Sequence, residues 1–181
     1  MPEACMLKES DFTRLDKAAE TLGALLRERK EGLCLAESCT AGLIASTLAR
    51  IGGASQFLWG SYVCYSVEAK VAMLGLDVDE IKRQGTISSP IALAMAEASL
   101  NHSKSSWALS VTGLAGPTGD DRQTPIGTVW IGLAYKGKGG SPNLCRAREF
   151  LLTGDRNEIR ESAAATALEE LTHFILTEGS N

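Results

Sequence analysis

Apolar positions along this chain keep two rhythms. From Phe12 to Lys30, Leu15, Ala19, Leu22 and Leu26 recur at helical spacing with charges between them, so one helical face is buried. Leu33 to Ala36 is an unbroken apolar run, which predicts a short buried strand. Helical spacing returns in Leu43-Ile44-Ala45-Ser46-Thr47-Leu48-Ala49-Arg50 and runs to about Ile51, where Gly52-Gly53 stops it. Trp59 to Tyr65 predicts a second strand, Val67 to Leu74 a helix closing at Gly75, and Ile81 to Gln84 one more helical turn. Ser89-Pro90 sets a capping residue before a proline, predicting a helix to about Ser103. Trp107 to Thr112 reads as a third buried strand. Thr128 to Tyr135 and Leu144 to Leu152 read as a hairpin joined through Lys136-Gly137-Lys138-Gly139-Gly140. Asp155-Arg156-Asn157-Glu158 has capping-box spacing and opens a last helix that buries Ile159, Ala163, Ala167, Leu171 and Phe174.

Helices alternate with strands early and an antiparallel pair comes late. The expected fold class is α/β: a three-layer α/β/α single domain over residues 1–181 with a mixed sheet, without internal repeats or a low-complexity linker. In such sheets ligands collect at the carboxyl ends of the parallel strands. Both the segment after Ala36 and the loop after Thr112 lie at such ends.

Composition narrows the function classes. A net charge of −4 without any Lys/Arg run excludes a broad nucleic-acid-binding face. No apolar stretch approaches the ~20 residues a membrane span needs, and the N-terminus lacks a signal-peptide core, so a cytoplasmic protein without a membrane partner is expected. Cys5, Cys34, Cys39, Cys64 and Cys145 are odd in number and form no C-x-x-C pair, which suggests neither a zinc site nor a redox pair. The two histidines, His102 and His173, fall within helical segments, so a Ser-His-Asp triad has little support. Any activated nucleophile here needs another base.

The segment Leu33-Cys34-Leu35-Ala36-Glu37-Ser38-Cys39-Thr40-Ala41-Gly42 holds the strongest candidate chemistry. A buried strand turns sharply into a helix with Ser38 at the turn. Ser38 can cap that helix, or it can attack an electrophile beside free backbone N–H groups able to hold an oxyanion. Cys39 is an alternative nucleophile, since a helix start favours a thiolate. Tyr65-Ser66-Val67-Glu68-Ala69-Lys70 follows the second strand, and either Lys70 or Tyr65 would be the base that deprotonates Ser38. For Lys70 that requires a pKa lowered from ~10.4 toward neutral, through burial or a nearby cation. Both side chains are equally at home as a solvated lysine and an edge tyrosine. The Gly-rich loop Thr112-Gly113-Leu114-Ala115-Gly116 matches neither the Walker nor the Rossmann pattern, yet its N–H groups could cradle a phosphate. Of Arg156, Arg160, Arg146 and Arg148, one could pair with that phosphate.

In this order the motifs resemble the C-terminal domain family of the competence/damage-inducible protein CinA, which includes nicotinamide mononucleotide deamidases. The resemblance rests on Ala36-Glu37-Ser38-Cys39-Thr40-Ala41-Gly42, on Tyr65-Ser66 with Glu68-Ala69-Lys70, and on Gly85-Thr86-Ile87-Ser88. It continues through Thr112-Gly113-Leu114-Ala115-Gly116-Pro117, Pro125-Ile126-Gly127-Thr128-Val129 and Gly154-Asp155-Arg156, and spans about Leu15 to Phe174. It implies hydrolysis of the carboxamide of nicotinamide mononucleotide to nicotinic acid mononucleotide and ammonia, with no cofactor and no metal. It also implies Ser38 as nucleophile and Tyr65 and Lys70 as activating partners.

On that reading the N–H groups from Thr40 to Gly42 hold the oxyanion. The substrate-binding set is Glu37, Thr40, Ala41, Gly42, Thr112, Gly113, Ala115, Gly116 and Arg156, with the Thr112–Gly116 loop and Arg156 on phosphate and ribose. The partner is a small-molecule nucleotide, and a homo-oligomer is expected. The N-terminal pyrophosphatase domain of full-length relatives has no room in 181 residues, so a stand-alone form is expected. The chain departs from the family pattern at Ala41, where Gly is usual, at Val67, where Asn is usual, at Ser89, where Glu is usual, and at Asp120 in the glycine pair Gly119-Asp120. These departures leave open a non-catalytic nucleotide-binding module that uses the same pocket.

Overall fold

The structure, a computed structural model, describes residues 13–136 and 143–178. Its elements are α1 (Arg14–Arg29), β1 (Leu33–Glu37), α2 (Leu43–Ala49), a 3-10 turn (Ala54–Gln56), β2 (Leu58–Val63), α3 (Val67–Leu74), α4 (Val78–Gln84), α5 (Ser89–Asn101), β3 (Trp107–Gly113), β4 (Thr128–Tyr135), β5 (Leu144–Leu151) and α6 (Arg156–Glu178). Five strands form one mixed sheet in the order β2-β1-β3-β4-β5. β1 pairs in parallel with β2 and β3, and the β3–β4 and β4–β5 pairs are antiparallel. The carboxyl ends of β1, β2 and β3 therefore share one edge of the sheet, where crossover connections leave room for a ligand.

Helices cover both faces, giving the three-layer α/β/α arrangement. On one face α1, α2 and α6 bury Leu22, Leu26, Ile44, Leu48, Leu168 and Leu171 against Leu33, Leu35, Leu109 and Ile131. On the other, α3, α4 and α5 bury Leu74, Ile81, Ile91 and Met95 with Ala36. α5 lies hard against β4. A Cβ on Gly132 would stand 2.4 Å from the carbonyl oxygen of Ala92, so only glycine admits that approach. Ser110 Oγ donates to the same Ala92 carbonyl at 2.6 Å, tying β3 to α5.

Local chemistry explains where elements start. Thr13 and Asp16 form a reciprocal capping box on α1. The Asp155 carboxylate accepts from the N–H groups of Asn157 and Glu158 while Glu158 accepts from the Asp155 N–H, the predicted capping box of α6. Two expectations shift. Ser88, not Ser89, stands at the N-cap of α5, and its hydroxyl donates to the Gly85 carbonyl rather than capping the helix. The single turn expected at Ile81 is a full helix, α4, because Asp77 caps it four residues earlier. Phe12, Cys5 and most of the hairpin loop through Gly140 lie outside the described residues. No helix among the described residues is long and apolar enough to cross a membrane.

Candidate active site

Glu37 closes β1 fully buried, and its carboxylate does structural work. One oxygen accepts from the N–H groups of Gly42 and Ile44 at 2.9 and 3.1 Å; the other accepts from the Ala45 N–H and the Ser61 hydroxyl at 3.0 and 3.1 Å. A carboxylate on the first N–H groups of a helix satisfies donors that would otherwise lack partners and complements the dipole. Glu37, expected to bind substrate, thus caps α2 instead. The Ala41 N–H is also spent, on the Ser38 carbonyl at 3.0 Å. Ala41 and Gly42 turn the chain with φ of 52° and 89°. Of the oxyanion donors expected from Thr40 to Gly42, only the Thr40 N–H meets no oxygen acceptor among the described residues; it and the Cys39 N–H face the Cys39 sulfur, a weak acceptor.

Ser38 itself is not a helix cap. Its N–H donates to the Val111 carbonyl at 2.9 Å, which holds the turn against the end of β3. Its Oγ is met by Lys70 Nζ at 2.9 Å. Lys70 arrives from α3, whose N-cap Ser66 accepts from the Ala69 N–H and turns the helix sharply after β2. The lysine is 1% exposed and donates also to the Cys64 carbonyl at 2.9 Å. No carboxylate pairs with it among the described residues. Burial without a counter-charge pushes the Lys70 amine below its ordinary value. The five-residue gap between Tyr65 and Lys70, which spacing could not interpret, is resolved by the helix turning Lys70 inward and leaving Tyr65 outside.

Tyr65 is 56% exposed, and no hydrogen bond joins it to Ser38 or Lys70. Its hydroxyl accepts from Arg156 Nη2 at 2.6 Å, and Arg156 Nη1 donates to the Gly116 carbonyl. Arg156 therefore ties the β2–α3 junction to the loop after β3. Cys39, the alternative nucleophile, is 6% exposed, and burial pushes its thiol up to about 11, against thiolate chemistry. Cys34 and Cys64 are buried as expected of small hydrophobes, while Cys145 is partly exposed.

A cleft of about 320 Å³ opens over Ser38 and Lys70, walled by Tyr65, Thr112, Gly113, Ala115 and Arg156. Glu37, Thr40, Ala41, Gly42 and Gly116 do not line it; they shape the turn and the loop behind it. Gly113 is bare because a Cβ there would stand 2.7 Å from the Thr128 carbonyl. The expected substrate-binding set lacks Ser66, Val67, Thr86, Ile87, Leu114 and Asp120, which also line the cleft. Thr86 comes close because the Thr112 hydroxyl donates to its carbonyl at 2.7 Å, a pairing across 26 positions with no local signature. A larger cleft of about 610 Å³, between α1, α2 and α6, lies apart from Ser38.

Comparison with known proteins follows the same outline. A sequence profile described as the CinA C-terminal domain matches residues 15–175. The chain belongs to the CinA C-terminal domain family. It is 39% identical over 165 residues to a CinA-like protein of Cyanothece sp., covering 91% of this chain but 38% of that one. It is 34% identical over 160 residues to the nicotinamide-nucleotide amidohydrolase PncC of Escherichia coli, covering 88% of this chain and 93% of PncC. The chain thus spans well under half of its CinA-like relatives and nearly all of PncC. Among solved structures, competence damage-inducible protein A from Klebsiella pneumoniae superposes with a TM-score of 0.86 at 25% identity, covering 92% of this chain and 99% of that one. A competence/damage inducible protein from Agrobacterium tumefaciens gives 0.80 at 31% identity, covering 90% and 96%. Within this CinA C-terminal domain, the matched residues hold the whole cleft, from the Ser38 turn to Arg156.

Proposed function

We propose that this chain is a nicotinamide-nucleotide amidohydrolase that uses Ser38 as nucleophile and Lys70 as general base. The observation that carries this reading is the 2.9 Å contact between a buried, carboxylate-free lysine amine and the Ser38 hydroxyl. A neutral amine facing a serine hydroxyl is an activated pair without histidine, and burial shifts the Lys70 amine toward that neutral form. The substrate class comes from the resemblance to PncC.

Ser38 Oγ attacks the carboxamide carbon as Lys70 Nζ takes its proton. The Cys39 N–H in the cleft wall, with the Thr40 N–H directly behind it in the turn, would receive the developing oxyanion. Collapse of the tetrahedral intermediate breaks the C–N bond, and Lys70 returns the proton to the departing ammonia. Water, deprotonated by Lys70, then splits the acyl-serine ester to release the acid and regenerate Ser38. General-base help is worth about 10²–10⁴-fold and an oxyanion donor about 10²–10³-fold. Tyr65 acts through Arg156 at the mouth of the cleft, and on this reading the guanidinium takes the nucleotide phosphate.

Incubation with nicotinamide mononucleotide should release ammonia and nicotinic acid mononucleotide, with Ser38→Ala and Lys70→Met each losing about 10³-fold or more in kcat. Wild-type turnover in Ser38→Ala would remove the nucleophile. Tight calorimetric binding without ammonia would mark a binding module instead.

A further inference from the structure

Among the described residues, Arg160 is the one strong cation at the nucleophilic turn that this reaction leaves without a task. It projects from α6, half-buried, and its Nε and Nη2 donate to the Cys39 and Thr40 carbonyls at 3.1 and 3.0 Å. A weaker contact of 3.4 Å joins Nη1 to the Asn157 side chain. No carboxylate neutralises it among the described residues. Two consecutive main-chain carbonyls gripped by one planar fork is a geometry that arginine can make and lysine cannot.

The consequence lies in the peptide plane. In a trans peptide the carbonyl and the following N–H point in opposite directions. Holding the Cys39 carbonyl toward α6 turns the Thr40 N–H away from Arg160. Among the described residues, that N–H and the Cys39 N–H meet the Cys39 sulfur and no oxygen acceptor, while Gly42 is spent on Glu37 and Ala41 on Ser38. A charge on the carbonyl also polarises the peptide and strengthens its N–H as a donor. The Arg160 charge reaches this point: with Lys70 it opposes the burial that raises the Cys39 thiol.

We propose that Arg160 is a positioning residue, which fixes the Cys39–Thr40 peptide so that its N–H can receive negative charge developing next to Ser38. The proposal rests on the serine reading and adds a source for the oxyanion donor. Arg160 stands behind the turn and does not line the cleft, so its loss acts on the chemical step and not on substrate capture.

The test uses the full chain with Arg160→Ala and Arg160→Lys, assayed with nicotinamide mononucleotide. Arg160→Ala is expected to lower kcat about 10²-fold with KM within about twofold, while far-UV spectra and melting show a folded protein. Arg160→Lys should recover little, because three N–H groups on one nitrogen at the end of a flexible stem do not reproduce the planar fork that holds both carbonyls from two nitrogens. Millimolar guanidinium should restore part of the Arg160→Ala rate and nothing in Ser38→Ala, a readout that a merely structural arginine would not give. Labelling of Ser38 by a fluorophosphonate, followed by intact mass, supplies a readout independent of the amide substrate and should slow in Arg160→Ala. Wild-type kcat and labelling in Arg160→Ala, or a loss that tracks unfolding and resists guanidinium, overturns the proposal. A wild-type chain that releases no ammonia overturns the amidohydrolase reading, and the labelling rates then decide the role of Arg160 alone.

Discussion

At the scale of residues, Lys70 carries the most testable physics. Burial lowers its amine from the ordinary 10.5, so the unfolded chain holds that proton more tightly than the folded one. The folding stability linked to this group therefore rises with pH between the lowered folded value and 10.5. Lys70→Met removes that slope. Denaturant unfolding of the two proteins at a series of pH values should show their stability difference moving in favour of the wild type as pH climbs through the window. Parallel curves would contradict a lysine that sheds its proton on burial. Turnover follows the same ionisation: kcat/KM rises with pH as Lys70 becomes neutral, and a profile flat across the alkaline range would exclude it as the base. Glu37 makes a different prediction. Its four donors need two acceptor oxygens, and Glu37→Gln turns one of them into a competing donor in a fully buried place. A loss of about 2 kcal/mol in urea unfolding is expected, with activity falling only as far as the Ser38 turn loosens.

Between elements, the decisive features are close approaches that no periodicity announces. Gly132 in β4 lets α5 sit on the sheet with the Ala92 carbonyl where a side chain would be. Gly132→Ala forces α5 outward and strains the Ser110–Ala92 hydrogen bond, for an expected cost of about 1–3 kcal/mol in thermal or denaturant unfolding. An unchanged melting curve would mean that α5 moves freely, contrary to its buried Ile91, Ala92, Met95 and Ala96. Most elements were legible beforehand because burial writes itself into spacing. The apolar face of α1, the unbroken run of β1 and the capping box of α6 each carry a local signal. The start of α5 lies one residue before the position that Ser89-Pro90 predicts, because Ser88 and Ser89 offer the same chemistry and only the backbone decides which lies outside the helix.

Taken whole, the molecule separates stability from chemistry along the strands. β3 runs from Trp107 at the amino edge to Gly113 at the cleft, roughly 20 Å away at about 3.3 Å per residue. Trp107 is fully buried, stacks on Tyr135, meets Phe174 edge-on and donates from Nε1 to Glu31 at 2.7 Å. Trp107→Phe should lower stability by about 1–3 kcal/mol, since it strips a donor from a buried carboxylate, while kcat/KM of the remaining folded enzyme stays at the wild-type value. A matching loss of kcat/KM would show that strain at the far edge reaches Ser38.

The amino-acid sequence by itself determined the α/β alternation and the strand-turn-helix around Ser38, because these are governed by contacts between near neighbours in the chain, and the order of the elements pointed to the mixed sheet that β1 and β3 build across more than seventy positions. It could not tell a capping carboxylate from a ligand-binding one, or an inward lysine from a solvated one. Glu37 and Lys70 acquire their roles only when α2 and α3 pack against β1 and remove water from both. The family resemblance pairs Tyr65 with Lys70, yet the Tyr65 hydroxyl meets Arg156, 91 positions away. Desolvation and hydrogen-bond partners are properties of the assembled interior, and no stretch of chain holds them before the layers close.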